Sequence, residues 1–344
     1  MRRLAAALES GRVDGGLARI AAALWARVAA ARLVKPLTWR AGAEVLAVGG
    51  ATLGGSGKTP LCIAAARVLA RDGVRVALVG HGYRARPGVA RVVVSTDAVS
   101  AVGDEALACA RALALALDRV PVVVGPTRQA ALDLALTLAD VAILDGVHQA
   151  SPRASLAWLA VDSRAPWGAG ACPPRGDLRA PRAALEGAAD LVVPVSGTSR
   201  GIHLAGELVG WDAVRRLRVG LVTTIARPHR VEDLLAAHDV SPTLTRTFSD
   251  HSRPPHAAVV AGAPALDVWV TTAKCHPWLG ETWSGGIPLG VVDYEVDLPP
   301  ECRLTLTRLE SYARRSSLEP RKPSHDGARQ IRRSRPGHAR ASSG

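Results

Sequence analysis

Aromatic residues are scarce in this 344-residue sequence: one Phe and three Tyr stand beside eight Trp. Ala, Val, Leu and Arg dominate instead, a composition that suits helices packed on buried strands. No run of about 18 uncharged apolar residues occurs, so no membrane-spanning helix is expected. The five cysteines, Cys62, Cys109, Cys172, Cys275 and Cys302, are odd in number, far apart and form no CxxC pair. That argues against a disulfide framework and a structural zinc site, and fits a reducing compartment. No small-residue cleavage site follows a clean apolar core near the N-terminus, so a signal peptide is not expected either.

Hydrophobic residues make up 48% of the chain, enough for two domains with sizeable cores. The net charge of +13 is uneven. Residues 303–344 hold eleven Arg or Lys against Glu310, Glu319 and Asp326, so most of the excess is a tail. The Arg/Ser/Pro-rich segment from residue 314 reads as solvated and disordered, and no nucleic-acid partner is expected. Residues 17–34 are Ala/Leu/Val-rich, carry Trp25 and are interrupted by Arg19, Arg27 and Arg32. They read as an amphipathic helix, lying either in a membrane interface or on the protein's own core.

Short apolar strands are expected at residues 44–48, 74–80, 92–95, 120–124, 141–144, 156–161 and 191–194. Helices are expected at 60–71, 103–117 and 127–138. This alternation predicts an α/β fold with a mostly parallel sheet covered by helices on both faces. Shorter elements after residue 206 predict a second, smaller α/β domain. The expected organisation is residues 1–40 as an N-terminal helical segment, 41–205 as the first domain, 206–312 as the second and 313–344 as the tail.

The clearest chemical signal is Gly54-Gly55-Ser56-Gly57-Lys58-Thr59, between an apolar strand and a helix. Gly57, Lys58 and Thr59 fill the last three positions of the P-loop pattern, whose first glycine would fall at Thr52. The glycines let backbone N–H groups turn inward around an anion, and the following helix adds its positive end. Lys58 is placed to reach the β- and γ-phosphates and the Thr59 hydroxyl to ligate Mg²⁺. Asp145 ends an apolar strand, where a carboxylate holds Mg²⁺ or its water, although Asp-Gly is also a common turn pair. On the residues alone, Asp104 reads as a helix N-cap.

The run from Val48 through that loop to Pro60 resembles the nucleotide loop of the tetraacyldisaccharide 4′-kinases, the lipid A kinases of Gram-negative bacteria. In that family too the first P-loop position is not glycine. Further segments follow in family order: Gly82-Tyr83, Gly103-Asp104-Glu105, Gly125-Pro126 with Arg128, and Asp145-Gly146. Pro174-Arg175-Gly176-Asp177-Leu178-Arg179-Ala180-Pro181 is similar to the family's proline-bounded segment. Ile225-Ala226-Arg227-Pro228, Phe248-Ser249-Asp250-His251 and Val270-Thr271-Thr272-Ala273-Lys274 continue the series in the second domain.

The resemblance implies ATP- and Mg²⁺-dependent phosphorylation of the 4′-hydroxyl of a tetraacylated glucosamine disaccharide 1-phosphate, the lipid A precursor. It implies Asp104 as catalytic base paired with His251, the loop from Thr52 to Thr59 on ATP, Thr59 and Asp145 on the metal, and Arg179 toward the substrate. It also implies a membrane surface contact through the N-terminal helix, peripheral or monotopic, on the cytoplasmic face of the inner membrane. The oligomeric state is left open.

Six positions depart from the family pattern: Gly50, His81, Leu144, His148, Ala180 and Cys275. Leu144, Ala180 and Cys275 replace acids, which thins the expected acidic complement of the site. They support a second reading, a nucleotide- or lipid-binding relative without turnover that acts as a regulatory or scaffold protein. A metallochaperone-type GTPase would need an Asn/Thr-Lys-x-Asp motif, and Thr272-Ala273-Lys274-Cys275 lacks its aspartate.

Overall fold

In the computed structural model, which describes residues 7–82, 85–116, 120–280, 283 and 286–318, the described residues form two large helix-flanked sheets and a two-stranded one. Residues 1–6, Tyr83, Leu117 and the basic tail beyond Leu318 lie outside the described residues. The N-terminal segment supplies α1 (Gly16–Ala31) and β1 (Val34–Pro36). α1 buries Ala22 and packs Ala26 and Ala29 on a small cluster containing Leu33 and Cys172. It leaves Leu17, Ile20, Leu24, Trp25 and Val28 exposed.

The first sheet starts with β2 (Glu44–Gly50), whose apolar residues are buried on both faces, as a parallel strand between helix layers requires. α2 (Lys58–Arg71) begins two residues before the expected start at Pro60. Gly57 sits at its N-cap in the left-handed region, at φ 79, and Pro60 falls in the first turn, where no intrahelical N–H is needed. Next come β3 (Val76–Val79), β4 (Arg91–Val92), α3 (Val99–Val102), α4 (Asp104–Ala116) and β5 (Val122–Val124). α5 (Arg128–Leu138), β6 (Val141–Asp145), β7 (Gln149–Ser151), β8 (Leu156–Asp162), α6 (Arg182–Ala188) and β9 (Leu191–Val195) complete this part. The strand order is β4-β5-β3-β6-β2-β8-β9, parallel throughout except for β4 against β5. β1 pairs in parallel with β7 outside this sheet.

The second sheet holds β10 (Gly197–Leu204), β11 (Glu207–Gly210), β12 (Val219–Thr223), β13 (Leu244–Thr247), β14 (Val268–Thr271) and β15 (Leu289–Val296). Its order is β11-β10-β15-β14-β12-β13. The helices along it are α7 (Trp211–Val214), α8 (His229–Ala236), α9 (His256–Val260) and α10 (His276–Gly280), and α11 (Pro300–Leu318) follows.

Both expected edges of the second domain move. β10 pairs antiparallel with β15 from Gly197 onward, so the boundary at 205/206 falls inside the second sheet. Gly197 and Gly201 flank a register shift in that pairing between Thr198 and Gly201. At the other edge, α11 returns to the first domain. Its Cys302, Leu306 and Leu309 are buried in the core beneath β2 and α2, and Trp158 Nε1 donates to Thr305 Oγ1. Residues 300–309 therefore pack as part of the first domain.

Candidate active site

The carboxyl ends of parallel strands from both sheets meet across one cleft, the usual ligand position in open α/β sheets. After β2 comes the phosphate loop, after β6 Gly146, and after β8 Ser163. From the other side come the turn after β12 with Arg227, the loop after β13 with His251 and the loop after β14 with Lys274. Between them lies a cavity of about 1030 Å³ lined by residues of both domains.

At the nucleotide end, Thr52 Oγ1 donates to Gly54 O at 2.7 Å and closes the start of the loop. Lys58 projects from the first turn of α2 and lies 3.9 Å from Asp145 Oδ1 and 4.0 Å from Glu105 Oε2. Thr59 Oγ1 donates to Asp145 Oδ2 at 2.6 Å. Asp145 is buried, and its Oδ1 makes no hydrogen bond. A hydroxyl and a buried carboxylate oxygen with spare lone pairs, beside a phosphate loop, form a donor set that fits Mg²⁺. Among the described residues no three His, Cys, Asp or Glu gather into a metal cage. That agrees with an ion held by one or two protein oxygens together with phosphates and water.

Arg179, the residue expected toward the substrate, lines the cavity beside the loop. Its Nη2 donates to Thr52 O at 3.4 Å and to Leu53 O at 3.5 Å, and its buried Nε makes no hydrogen bond. His148 lies in the same region, with Nε2 3.0 Å from Gly50 O. Burial pushes its pKa down to about 4, so the neutral ring donates to that carbonyl and braces the strand end.

Beside the nucleotide end, Asp104 opens α4 and is 1% exposed. Its Oδ1 accepts from Glu105 N at 2.9 Å. Its Oδ2 accepts from His251 Nδ1 at 2.5 Å and from Trp278 Nε1 at 2.9 Å. Burial pushes the Asp104 carboxyl up, but the His251 and Trp278 hydrogen bonds outweigh it and hold the group below the usual carboxylate range. The expected pair is thus assembled across the domain boundary. Asp104 is enclosed with both oxygens occupied, and His251 is the member that lines the cavity.

Lys274 Nζ lies 3.2 Å from His251 Nε2, 3.3 Å from Asp250 Oδ1 and 3.3 Å from Glu105 Oε1. An ammonium only donates and a carboxylate only accepts, so Nε2, facing Lys274, serves as acceptor while Nδ1 donates to Asp104; Nε2 also lies 3.5 Å from Asp250 Oδ2. Burial lowers the Lys274 pKa, but Glu105 and Asp250 override it and keep the side chain charged.

The three missing acids do not thin this site. Leu144 alternates with Asp145 on β6 and points to the opposite face, into an apolar cluster with Val45 and Leu132. Ala180 is buried against Ala51, Leu159 and Leu185. Cys275 is buried, and its sulfur accepts from Thr224 N and Thr272 Oγ1, both at 3.1 Å. None of the three lines the cavity. Four residues that do shape the site carried no role in the sequence reading. Glu105 and Lys274 stood inside quoted motifs, Arg230 lies two residues beyond one, and Trp278 had no local signal.

Residues 16–275 match the profile of the LpxK family, tetraacyldisaccharide-1-P 4′-kinase. A tetraacyldisaccharide 4′-kinase of Alcanivorax borkumensis is 32% identical over 280 residues, covering 74% of this chain and 83% of that one. One from Methylobacterium radiotolerans is 33% identical over 287 residues, covering 77% and 85%. The crystal structure of LpxK from Aquifex aeolicus in complex with ATP superposes with a TM-score of 0.64 at 20% identity. It covers 84% of this chain and 96% of that one, and so shares the fold. Together the profile and these relatives show that the chain belongs to the tetraacyldisaccharide-1-P 4′-kinase family.

Proposed function

We propose that this protein is an ATP-dependent kinase that phosphorylates the 4′-hydroxyl of tetraacyldisaccharide 1-phosphate in lipid A biosynthesis. The observation that carries the reading is one cavity lined by a phosphate loop and by His251 and Lys274, with Asp104 behind His251 and with Lys274 joined to Lys58 through the Glu105 carboxylate. Family membership names the acceptor. The burial of Leu144, Ala180 and Cys275 in packing positions removes the ground for a relative without turnover.

His251 is placed to act as the general base, with Nε2 toward the cavity. The acceptor hydroxyl displaces Lys274 from that nitrogen and gives it a proton as oxygen attacks the γ-phosphorus. The bond from phosphorus to the β–γ bridging oxygen breaks, and ADP leaves with the electron pair. Asp104 fixes the Nδ1–H tautomer and offsets the positive charge that develops on the ring. Lys58 and the loop N–H groups balance the phosphate charge, and Arg179 braces the loop carbonyls from within the same cavity. Thr59 and Asp145 would hold Mg²⁺, which neutralises phosphate charge when bound.

Membrane contact belongs to α1. Leu17, Ile20, Leu24 and Val28 recur at helical spacing on its exposed side, with Trp25 beside them and Leu17 86% exposed. Among the described residues no helix is long and apolar enough to cross a membrane, so the contact is interfacial. The test of the kinase reading is transfer of label from radiolabelled ATP to tetraacyldisaccharide 1-phosphate in detergent. The unmodified chain is expected to yield a labelled bisphosphate lipid and Lys58→Ala none. No labelled lipid from the unmodified chain refutes the reading.

A further inference from the structure

Two arginines of the second domain lie directly over the phosphate loop. The turn after β12 carries Arg227, and Arg230 follows in the first turn of α8. A Cβ built on Gly55, at φ 68, would meet Arg230 Nη1 at 2.8 Å and Arg227 Cδ at 2.9 Å. Only a residue without a side chain admits both arginines this close to the loop.

The two have different surroundings. Arg227 is buried between the carboxylates of Asp177 and Glu9, which answer its charge from two sides. Arg230 lines the cavity, and its side chain is 31% exposed. It donates through Nη1 to Gly55 O and through Nη2 to Asp162 Oδ2. A guanidinium has five N–H donors, so further donors remain on the group. Burial and the neighbouring Arg227 both disfavour its charge, with Asp162 and Glu9 opposing them. A partly desolvated cation beside a phosphate loop is a site for an additional anion.

We propose that Arg230 is an arginine supplied in cis by the second domain, and that its guanidinium binds the terminal phosphate of ATP and stabilises that phosphate during transfer. The inference rests on the kinase reading above. During transfer, charge spreads over the equatorial oxygens of the moving phosphoryl group, while the O4′–phosphorus bond forms and the bond to the ADP oxygen breaks. The loop and Lys58 answer that charge from the first domain. Arg230 is anchored to a loop carbonyl and answers it from the second. It stays protonated throughout and takes no part in proton transfer.

The competing account is a latch, in which Arg230 only ties α8 to Gly55 and Asp162. Arg230→Ala, Arg230→Lys and Asp162→Asn separate the two through kcat, KM for ATP and dissociation constants for ATP and ADP. A phosphate contact predicts that Arg230→Ala lowers kcat by about 10³–10⁵-fold. It predicts ATP binding about tenfold weaker and ADP binding within about threefold, because ADP lacks the terminal phosphate. Arg230→Lys should restore part of kcat, and Asp162→Asn should keep kcat within about threefold. Equal losses in Arg230→Ala and Asp162→Asn, with ATP and ADP affinities falling together, overturn the proposal, as does a kcat for Arg230→Ala within about threefold of the unmodified chain. The nucleotide comparison needs no acceptor. A chain that discriminates ATP from ADP through Arg230 and transfers nothing would therefore refute the kinase reading and leave the phosphate contact standing.

Discussion

Replacing Asp104 with Asn isolates the charge behind His251 while keeping the shape of the site. An asparagine oxygen can still accept from Trp278 Nε1 and His251 Nδ1, which keeps the ring orientation, while its amide nitrogen faces Glu105 N and leaves that N–H without its acceptor, so the urea midpoint of the variant is measured beside its rate. What disappears is the negative charge facing the ring as it becomes cationic. With Nδ1 and Oδ2 2.5 Å apart, the charge centres are about 4 Å apart. At an effective dielectric constant of about 20 that interaction is about 4 kcal/mol, or about 10³-fold in rate. The assay is steady-state transfer from ATP to tetraacyldisaccharide 1-phosphate at saturating concentrations of both. The expected result is a kcat lower by about 10³-fold with KM for ATP within about threefold, since Asp104 touches no part of the phosphate loop. The pair acts as a unit, so Asp104→Asn combined with His251→Ala should be no slower than the worse single variant. A loss under about tenfold in Asp104→Asn, or losses that multiply in the double variant, would refute the assignment.

Asp145→Asn should lower kcat by at least about 10²-fold and raise the Mg²⁺ concentration for half-maximal rate, read from a magnesium titration of turnover; an unchanged titration midpoint would contradict the metal role. The Asp104 carboxyl is held below its ordinary value of 3.8, so its contribution to stability is present in full above about pH 4 and lost as pH falls through the lowered value. Urea unfolding at successive pH values should show that acid loss in the unmodified chain and a shallower one in Asp104→Asn. Restoring the family acid by Leu144→Asp places a carboxylate among Val45, Ala47 and Leu132, and denaturant midpoints should report a loss of about 3 kcal/mol or more with no gain in kcat. Leu17→Asp with Leu24→Asp should abolish co-sedimentation with anionic phospholipid vesicles and leave ATP affinity unchanged; undiminished sedimentation would remove α1 as the membrane contact.

Much of the fold was legible because parallel strands buried on both faces read as apolar runs, as β2, β6 and β8 do. The phosphate loop was legible because its chemistry is local to Gly54–Thr59. The edges of the second domain were not. Gly197 and Gly201 lie in a strand paired with β15, almost a hundred residues further on. α11 follows the second sheet in sequence but packs on the first domain, and only tertiary contact with Trp158 and the core around α2 decides that.

The site shows the same division. Motif order linked Asp104 to His251, but which of the two faces the cavity depends on which the fold encloses. The alternation of Leu144 with Asp145 already pointed Leu144 away from the nucleotide. No comparable periodicity existed for Ala180 or Cys275, which are set by packing and by a sulfur acceptor inside the second domain. Arg230 carried no signal, because its role depends on α8 lying across a loop 175 residues earlier.

The most direct test is to locate the transferred phosphate. Tandem mass spectrometry and phosphorus NMR on the lipid recovered after incubation with ATP, Mg²⁺ and tetraacyldisaccharide 1-phosphate report its position. The expected result is a second phosphate on the 4′-oxygen with the unmodified chain, and unreacted monophosphate with Lys58→Ala and His251→Ala. Unreacted monophosphate from an unmodified chain that binds ATP, or phosphate on any other oxygen, would contradict the account.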